Sequence, residues 1–192
     1  MLDLQLSTSG VALLVTVIAF SIGELAPVRR VHRGSRHADL GAEVVFRLCF
    51  VTGILTLPLA RSVAPGARIP WPTAGLVIGI VVAWLGLVLR WWSFRTLGRY
   101  FTLVLRTSPD QAVVDRGPYR ALRHPSYTGL LMVVLGCALM VGNWVGLVGC
   151  CAWVGAAIVY RIRVEERALT EALGAAYLDF AATRARLVPF VW

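Results

Sequence analysis

Apolar residues fall in four long blocks along the chain, and the polar residues between them collect into short, arginine-rich clusters. The blocks cover residues 10–26, 40–60, 73–92 and 128–162. A helix rising 1.5 Å per residue crosses a hydrocarbon core of about 30 Å in roughly twenty residues, so each of the first three blocks is one membrane span. The fourth is too long for one span and breaks at Val141-Gly-Asn-Trp144, which predicts a tight hairpin of two short arms. The pattern therefore predicts an all-α polytopic membrane protein with about five transmembrane helices. The first block lacks a positively charged leader and is followed by arginines, so it reads as a retained span rather than a signal peptide.

Composition agrees with that reading. Of the 192 residues 58% are hydrophobic and 15% charged, well below the charge content of soluble domains. The net charge of +9 comes from nineteen basic residues, all of them arginine. Their places beside the apolar blocks fit cytoplasmic loops and anionic headgroups, not a nucleic-acid partner. With the N-terminus outside, sixteen arginines fall on the inner side and only Arg61 and Arg68 on the outer. That imbalance predicts five spans with a cytoplasmic C-terminus. Cys49, Cys137, Cys150 and Cys151 all lie in apolar blocks without zinc-ligand spacing, and read as inert thiols. No repeat or long linker divides the chain. It reads as a single domain over 1–192, with spans one to three in 10–92 and the polar chemistry in 93–192.

Two polar segments sit on the predicted inner side. The first contains Arg116-Gly-Pro-Tyr-Arg-Ala-Leu-Arg-His-Pro-Ser-Tyr-Thr-Gly129. Pro125 starts the next helix and leaves Arg123 and His124 beside its positive end, where an anion can be held. A juxtamembrane anchor accounts for the arginines and for Tyr119 and Tyr127; the histidine between turn-forming prolines and glycines points instead to a ligand site. The second segment carries Glu165 and Glu166. Consecutive residues point about 100° apart on a helix, so the two carboxylates serve different partners. Carboxylates near a bilayer are costly without a role, although a surface ion-pair network is the plainer alternative. Arg90, at the inner end of the third span, either snorkels to the interface or clamps an anionic group. Glu43 and Arg47 stand at i, i+4 and read as a structural pair, and Glu24 likewise reads as structural.

In order along the chain come Leu-Gly-Arg-Tyr-Phe at 97–101, Gly-Pro-Tyr-Arg-Ala-Leu-Arg-His-Pro-Ser-Tyr-Thr-Gly at 117–129, Glu165-Glu166-x-x-Leu169, and Gly174-x-x-Tyr177. This order resembles the isoprenylcysteine carboxyl methyltransferase family, over roughly residues 85–190. The resemblance implies an integral membrane methyltransferase that uses S-adenosylmethionine at the cytoplasmic face. It places Tyr119, Arg123, His124 and Tyr127 around the cofactor's methionyl end and ribose, and counts Arg120, Pro125 and Gly129 of the same motif with them. Glu165 and Glu166 close the pocket from the other side, and Arg90 lies near the reacting groups. A carboxylate acceptor needs no base, whereas a phenol or enol would draw on Glu165, Glu166 or His124. The implied acceptor is lipophilic, isoprenoid or long-chain, and the implied location is a prokaryotic inner membrane. The tail reads Tyr177-Leu-Asp-Phe180, where members commonly carry a second tyrosine. An NADPH-dependent reductase of the sterol reductase type and a small transporter or lipid-binding protein are the alternatives. A soluble dinucleotide-fold methyltransferase is excluded by the lack of a strand–Gly-x-Gly-x-x-Gly–helix unit.

Overall fold

The computed structural model describes residues 7–28, 40–98 and 113–188. Among them the chain is helical, with α1 (Thr8–Val28), α2 (Leu40–Val63), α3 (Pro72–Leu97), a 3₁₀ turn (Gly117–Arg120), α4 (Pro125–Val141), α5 (Trp144–Leu173) and α6 (Ala175–Ala182). The only β pairings among the described residues are the isolated bridges Arg68–Asn143 and Leu122–Ala185. Every apolar block expected to be a span is a helix. Three of them, Val44–Val63 within α2, α3 and α5, are long and apolar enough to cross a membrane. The apolar part of α1, Thr8–Glu24, and α4 are shorter.

The break between α4 and α5 is built as its residues dictate. Gly142 takes a positive φ of 73°, and its N–H bonds back to the Ala138 carbonyl. Asn143 then caps α5, its side-chain oxygen accepting from the Gly146 N–H at 3.0 Å. The sequence reading ended the fifth apolar helix at Ile162, but α5 continues to Leu173. Apolarity stops at that point, while the strong helix formers Glu165, Glu166, Ala168 and Leu169 carry the helix onward. Its 30 residues extend about 45 Å, so the last turns pass beyond a hydrocarbon core of about 30 Å.

Small residues let the helices approach closely. Gly79 and Gly86 of α3 face Gly136 and Gly129 of α4, and a Cβ added at Gly86 would lie 2.6 Å from the Gly129 carbonyl oxygen. Packing of this kind replaces the hydrophobic drive that helices lack in lipid. On the other side α2 lies on α5, with Gly53 against Val154 and the Trp153 indole N–H donating to Thr52 Oγ1 at 2.7 Å. Leu130, Val134 and Ala138 of α4 share a core with Val154, Ile158 and Ile162 of α5, while Val133 and Cys137 pack with Ala83 and Leu87 of α3. All four cysteines are free thiols, as expected, and Cys137 and Cys150 are buried. Outward faces remain apolar, as at Val81, Val88 and Val148.

The helices alternate in direction. The end of α1, the start of α2, the end of α3, the start of α4 and the exit of α5 meet at one end of the bundle. Glu24 reaches Arg90, and Phe46 touches both Tyr127 and Arg161. A small separate core of Tyr119, Tyr177, Phe180 and Ala181 covers this end.

Glycine substitutions separate close packing from open surface. A Cβ at Gly136 would lie 2.6 Å from the Ala83 backbone nitrogen, whereas one at Gly155 meets nothing within 4 Å. Gly136→Ala is therefore expected to destabilise by about 1–3 kcal/mol. Gly155→Ala is expected to stabilise by up to about 1 kcal/mol. Melting temperatures of the two variants in the same detergent check the opposite signs.

Candidate active site

The polar end of the bundle is organised around Glu166. Its Oε1 accepts from Arg123 Nη1 at 3.1 Å, lies 3.3 Å from His124 Nε2, and accepts from Arg186 Nε at 3.1 Å. Its Oε2 accepts from the same Arg186 Nε at 2.9 Å. The carboxylate comes from α5, Arg123 and His124 from the turn that opens α4, and Arg186 from the segment after α6. Two arginine cations on one carboxylate hold it ionised and make these bonds charge-assisted.

Backbone bonds fix the same three segments. The Arg123 N–H donates to the Ala185 carbonyl at 2.8 Å and the His124 N–H to the Arg186 carbonyl at 3.1 Å. Arg123 Nε donates to the Arg184 carbonyl at 2.8 Å, and Thr128 Oγ1 to the Leu187 carbonyl at 2.7 Å. The tail thus lies as a strap across the start of α4. Pro125, with no N–H to satisfy, takes the first helical position and is buried.

Glu165 serves a different set of partners, as the 100° offset predicts. Tyr127 Oη donates to Glu165 Oε2 at 2.8 Å and accepts from Arg161 Nε at 2.7 Å. Oε1 of Glu165 has no hydrogen-bond partner among the described residues, which leaves it open to a ligand. Two tyrosines flank the glutamates. Burial, followed by the Glu165 carboxylate, pushes the Tyr119 hydroxyl above its ordinary range, against a smaller pull from Arg90. Burial, then Glu166 and Glu165, do the same to Tyr177, with Arg123 and Arg186 opposing. Both are neutral hydroxyls that can donate. Among the described residues, the Tyr177 hydroxyl and Arg184 Nε are buried without a hydrogen-bond partner. A buried polar atom left unpaired costs about 1–3 kcal/mol, so each is open to an acceptor that the described residues do not supply.

Arg90 does not snorkel. It is buried, with Nε and Nη2 donating to the two oxygens of Glu24 at 2.6 and 3.0 Å and Nη1 donating to the Ser126 carbonyl at 2.8 Å. Phe20 and Phe94 flank its guanidinium. Three of the five guanidinium N–H groups are thereby used, and two remain.

The structure thus brings together Arg123, His124, Tyr127, Glu165 and Glu166, with Tyr119 and Pro125 beside them. Arg120 is exposed. Gly129 faces α3, where a Cβ would meet the Gly86 carbonyl. Tyr100 and Phe101, the first-loop arginines and the Glu43 side chain lie outside the described residues. Glu24 and Arg186 are partners the sequence reading missed. Glu24 had a usable signal, as the one carboxylate near the end of the first span facing a span-terminal arginine. Arg186 had none, because only the return of the tail brings it to Glu166.

Several known proteins resemble this chain in sequence and fold. A family model described as phospholipid methyltransferase matches residues 74–176. Protein-S-isoprenylcysteine O-methyltransferase A of Arabidopsis thaliana is 28% identical over 184 residues, covering 93% of this chain and 92% of the plant protein. The protein-S-isoprenylcysteine O-methyltransferase of Saccharomyces cerevisiae is 31% identical over 117 residues, 60% of this chain and 49% of the yeast protein. A solved structure of a eukaryotic intramembrane Ras methyltransferase, isoprenylcysteine carboxyl methyltransferase, superposes with a TM-score of 0.61 at 22% identity, over 95% of this chain and 63% of that one. At that identity the superposition establishes the fold alone.

Removing one partner from the cluster tests its internal balance. Glu166→Ala removes the carboxylate that Arg123 and Arg186 share, and the melting temperature is expected to fall by several degrees. Tyr177→Phe removes a hydroxyl that has no partner among the described residues, so its melting temperature is expected to stay level or rise. Thermal unfolding of the ligand-free protein checks both.

Proposed function

The chain belongs to the phospholipid methyltransferase family, and from that premise we propose that it moves a methyl group from S-adenosylmethionine to a carboxylate or hydroxyl of a lipophilic acceptor. Its kinship to the isoprenylcysteine O-methyltransferases makes it an integral membrane O-methyltransferase. The observation that carries the finer reading is the open donor and acceptor set between α4, α5 and the tail: Glu165 Oε1, the Tyr177 hydroxyl and Arg184 Nε.

That set suits a cofactor bearing an ammonium, a carboxylate and two ribose hydroxyls. Glu165 would accept from ribose hydroxyls or the ammonium, Arg123 and His124 would face the carboxylate, and Tyr119 and Tyr127 would supply ring surface. The bound cofactor supplies an electrophilic methyl group carried on a sulfonium. The chain's own part is positional. Arg90, held rigidly by Glu24, offers its two remaining N–H groups to an anionic acceptor group and fixes its direction. Near-attack geometry in a site shielded from water supplies much of the rate. For a carboxylate acceptor no proton moves; for a hydroxyl acceptor, Glu165 is placed to take the proton. An isoprenylcysteine carboxylate is the first acceptor to test, since the relatives carry that name, and a long-chain phenol is the second.

We further place the chain as one domain with five spans, residues 10–92 framing the site and 93–192 carrying it. The alternating helices and the gathering of arginines at the site end support a cytoplasmic site and an external N-terminus, and we propose a prokaryotic inner membrane as the location.

Calorimetry with S-adenosylhomocysteine tests the reading. Binding is expected for the wild type, weakened about tenfold by Tyr177→Phe and by Glu165→Gln, as loss of one good hydrogen bond implies. A folded wild-type protein that ignores S-adenosylhomocysteine and is stabilised against heat by NADPH would overturn it in favour of a reductase.

A further inference from the structure

At the end of the bundle away from Glu166, the start of α1, the end of α2, the start of α3 and the end of α4 enclose a cavity of about 660 Å³. The rise of α3 from Pro72 to Arg90 separates this end from the site described above by about 27 Å. Arg61, from the last turn of α2, and Arg68, from the α2–α3 turn, both line the cavity, and no carboxylate of the described residues does. Both side chains are exposed, and neither guanidinium has a hydrogen-bond or ion-pair partner among the described residues. They are also the two arginines that the sequence reading sets apart from the sixteen expected on the inner side.

The wall is built and two-sided in character. Ile69, Leu76 and Met140 make it apolar, while Thr73 adds a hydroxyl in the first turn of α3. That helix begins at Pro72 without a side-chain cap, so its first free amide donors are open to an outside acceptor. The rim is held by backbone bonds between two turns: the Ile69 N–H donates to the Gly142 carbonyl at 2.9 Å and the Trp144 N–H to the Ala67 carbonyl at 2.8 Å. Asn143 ties the same corner to α2, donating to the Ala64 carbonyl at 2.9 Å. Arg68 thus projects from a fixed turn and Arg61 from a helix. The nearby surface is apolar, with Leu59, Val63 and Trp71 exposed.

We propose that this cavity binds an anionic phospholipid, its phosphate between Arg61 and Arg68 and its glycerol and first acyl carbons against Ile69, Leu76 and Met140. Two unpaired cations call for an anion, and the apolar wall at the edge of a membrane-spanning bundle calls for an amphiphile rather than a fully hydrated ion. A cavity of this size falls in the range of small-molecule sites, large enough for a headgroup while the acyl tails run along the exposed helices. The site is independent of the methyltransferase reading.

The test uses full-length purified protein in detergent and a phosphatidylglycerol carrying a photoactivatable diazirine near the glycerol, with adducts mapped on peptides. Labelling is expected on peptides spanning 61–76 and 139–143, several-fold above that from the matching phosphatidylcholine. Arg61→Gln/Arg68→Gln is expected to reduce it several-fold at those peptides, and Arg61→Lys/Arg68→Lys to retain it. Lipid-free melting temperatures show that both double variants are folded. Equal labelling by phosphatidylcholine, or undiminished labelling in the glutamine variant, would overturn the site. Loss of labelling in millimolar inorganic phosphate would assign the cations to a free anion and overturn the lipid.

Discussion

The polar end of this protein depends on one carboxylate. Glu166 stands where α5 has left the apolar part of the bundle, and it draws together the turn before α4 and the tail after α6 through Arg123, His124 and Arg186. In a half-buried setting such a carboxylate and its arginines must satisfy one another, because each alone would carry a large desolvation cost. The geometry of everything nearby follows. With Glu166 committed to the strap, its neighbour Glu165 is turned about 100° toward Tyr127 and keeps one oxygen open. Consecutive glutamates thus divide into a fastener and a group with one carboxylate oxygen unpaired among the described residues.

A second buried pair works at the other side of the same end. Glu24 holds Arg90 by both oxygens, and the Ser126 carbonyl takes a third N–H. This contact joins α1, α3 and the start of α4, where close glycine packing already sets the distance between α3 and α4. A fixed guanidinium loses little entropy when a ligand arrives, which suits an orienting role better than a mobile surface arginine would. The bundle therefore acts as a rigid frame for the side chains gathered at its polar end.

Much of this was legible in the sequence. Apolar length located the helices, Gly142-Asn143 located the break between the last two long helices, and the arginine clusters marked the polar end. The motif around Arg123 and His124 and the Glu165-Glu166 pair named residues that the structure brings together at that end. What stayed hidden depended on tertiary return. Arg186 lies 20 residues beyond Glu166 with no periodic relation to it, and only the strap brings them together. Glu24 and Arg90 are 66 residues apart on helices whose contact hydropathy does not encode. The extent of α5 was underestimated because apolarity ends before helical propensity does. Gly129 shows the reverse case: it belongs to a motif read for its ligand, yet its lack of a side chain is what lets α4 sit against α3.

The central claim is that Glu166 and its cations form one unit with the cofactor-binding groups. A double-mutant cycle of Glu166→Gln and Arg186→Gln, read in both melting temperature and S-adenosylhomocysteine affinity, tests it most directly. Non-additive effects in both readouts, with the double variant less impaired than the sum of the singles, are the predicted result. Additive effects, or coupling in stability with affinity unchanged, would contradict it and reduce the strap to a structural fastening remote from the ligand.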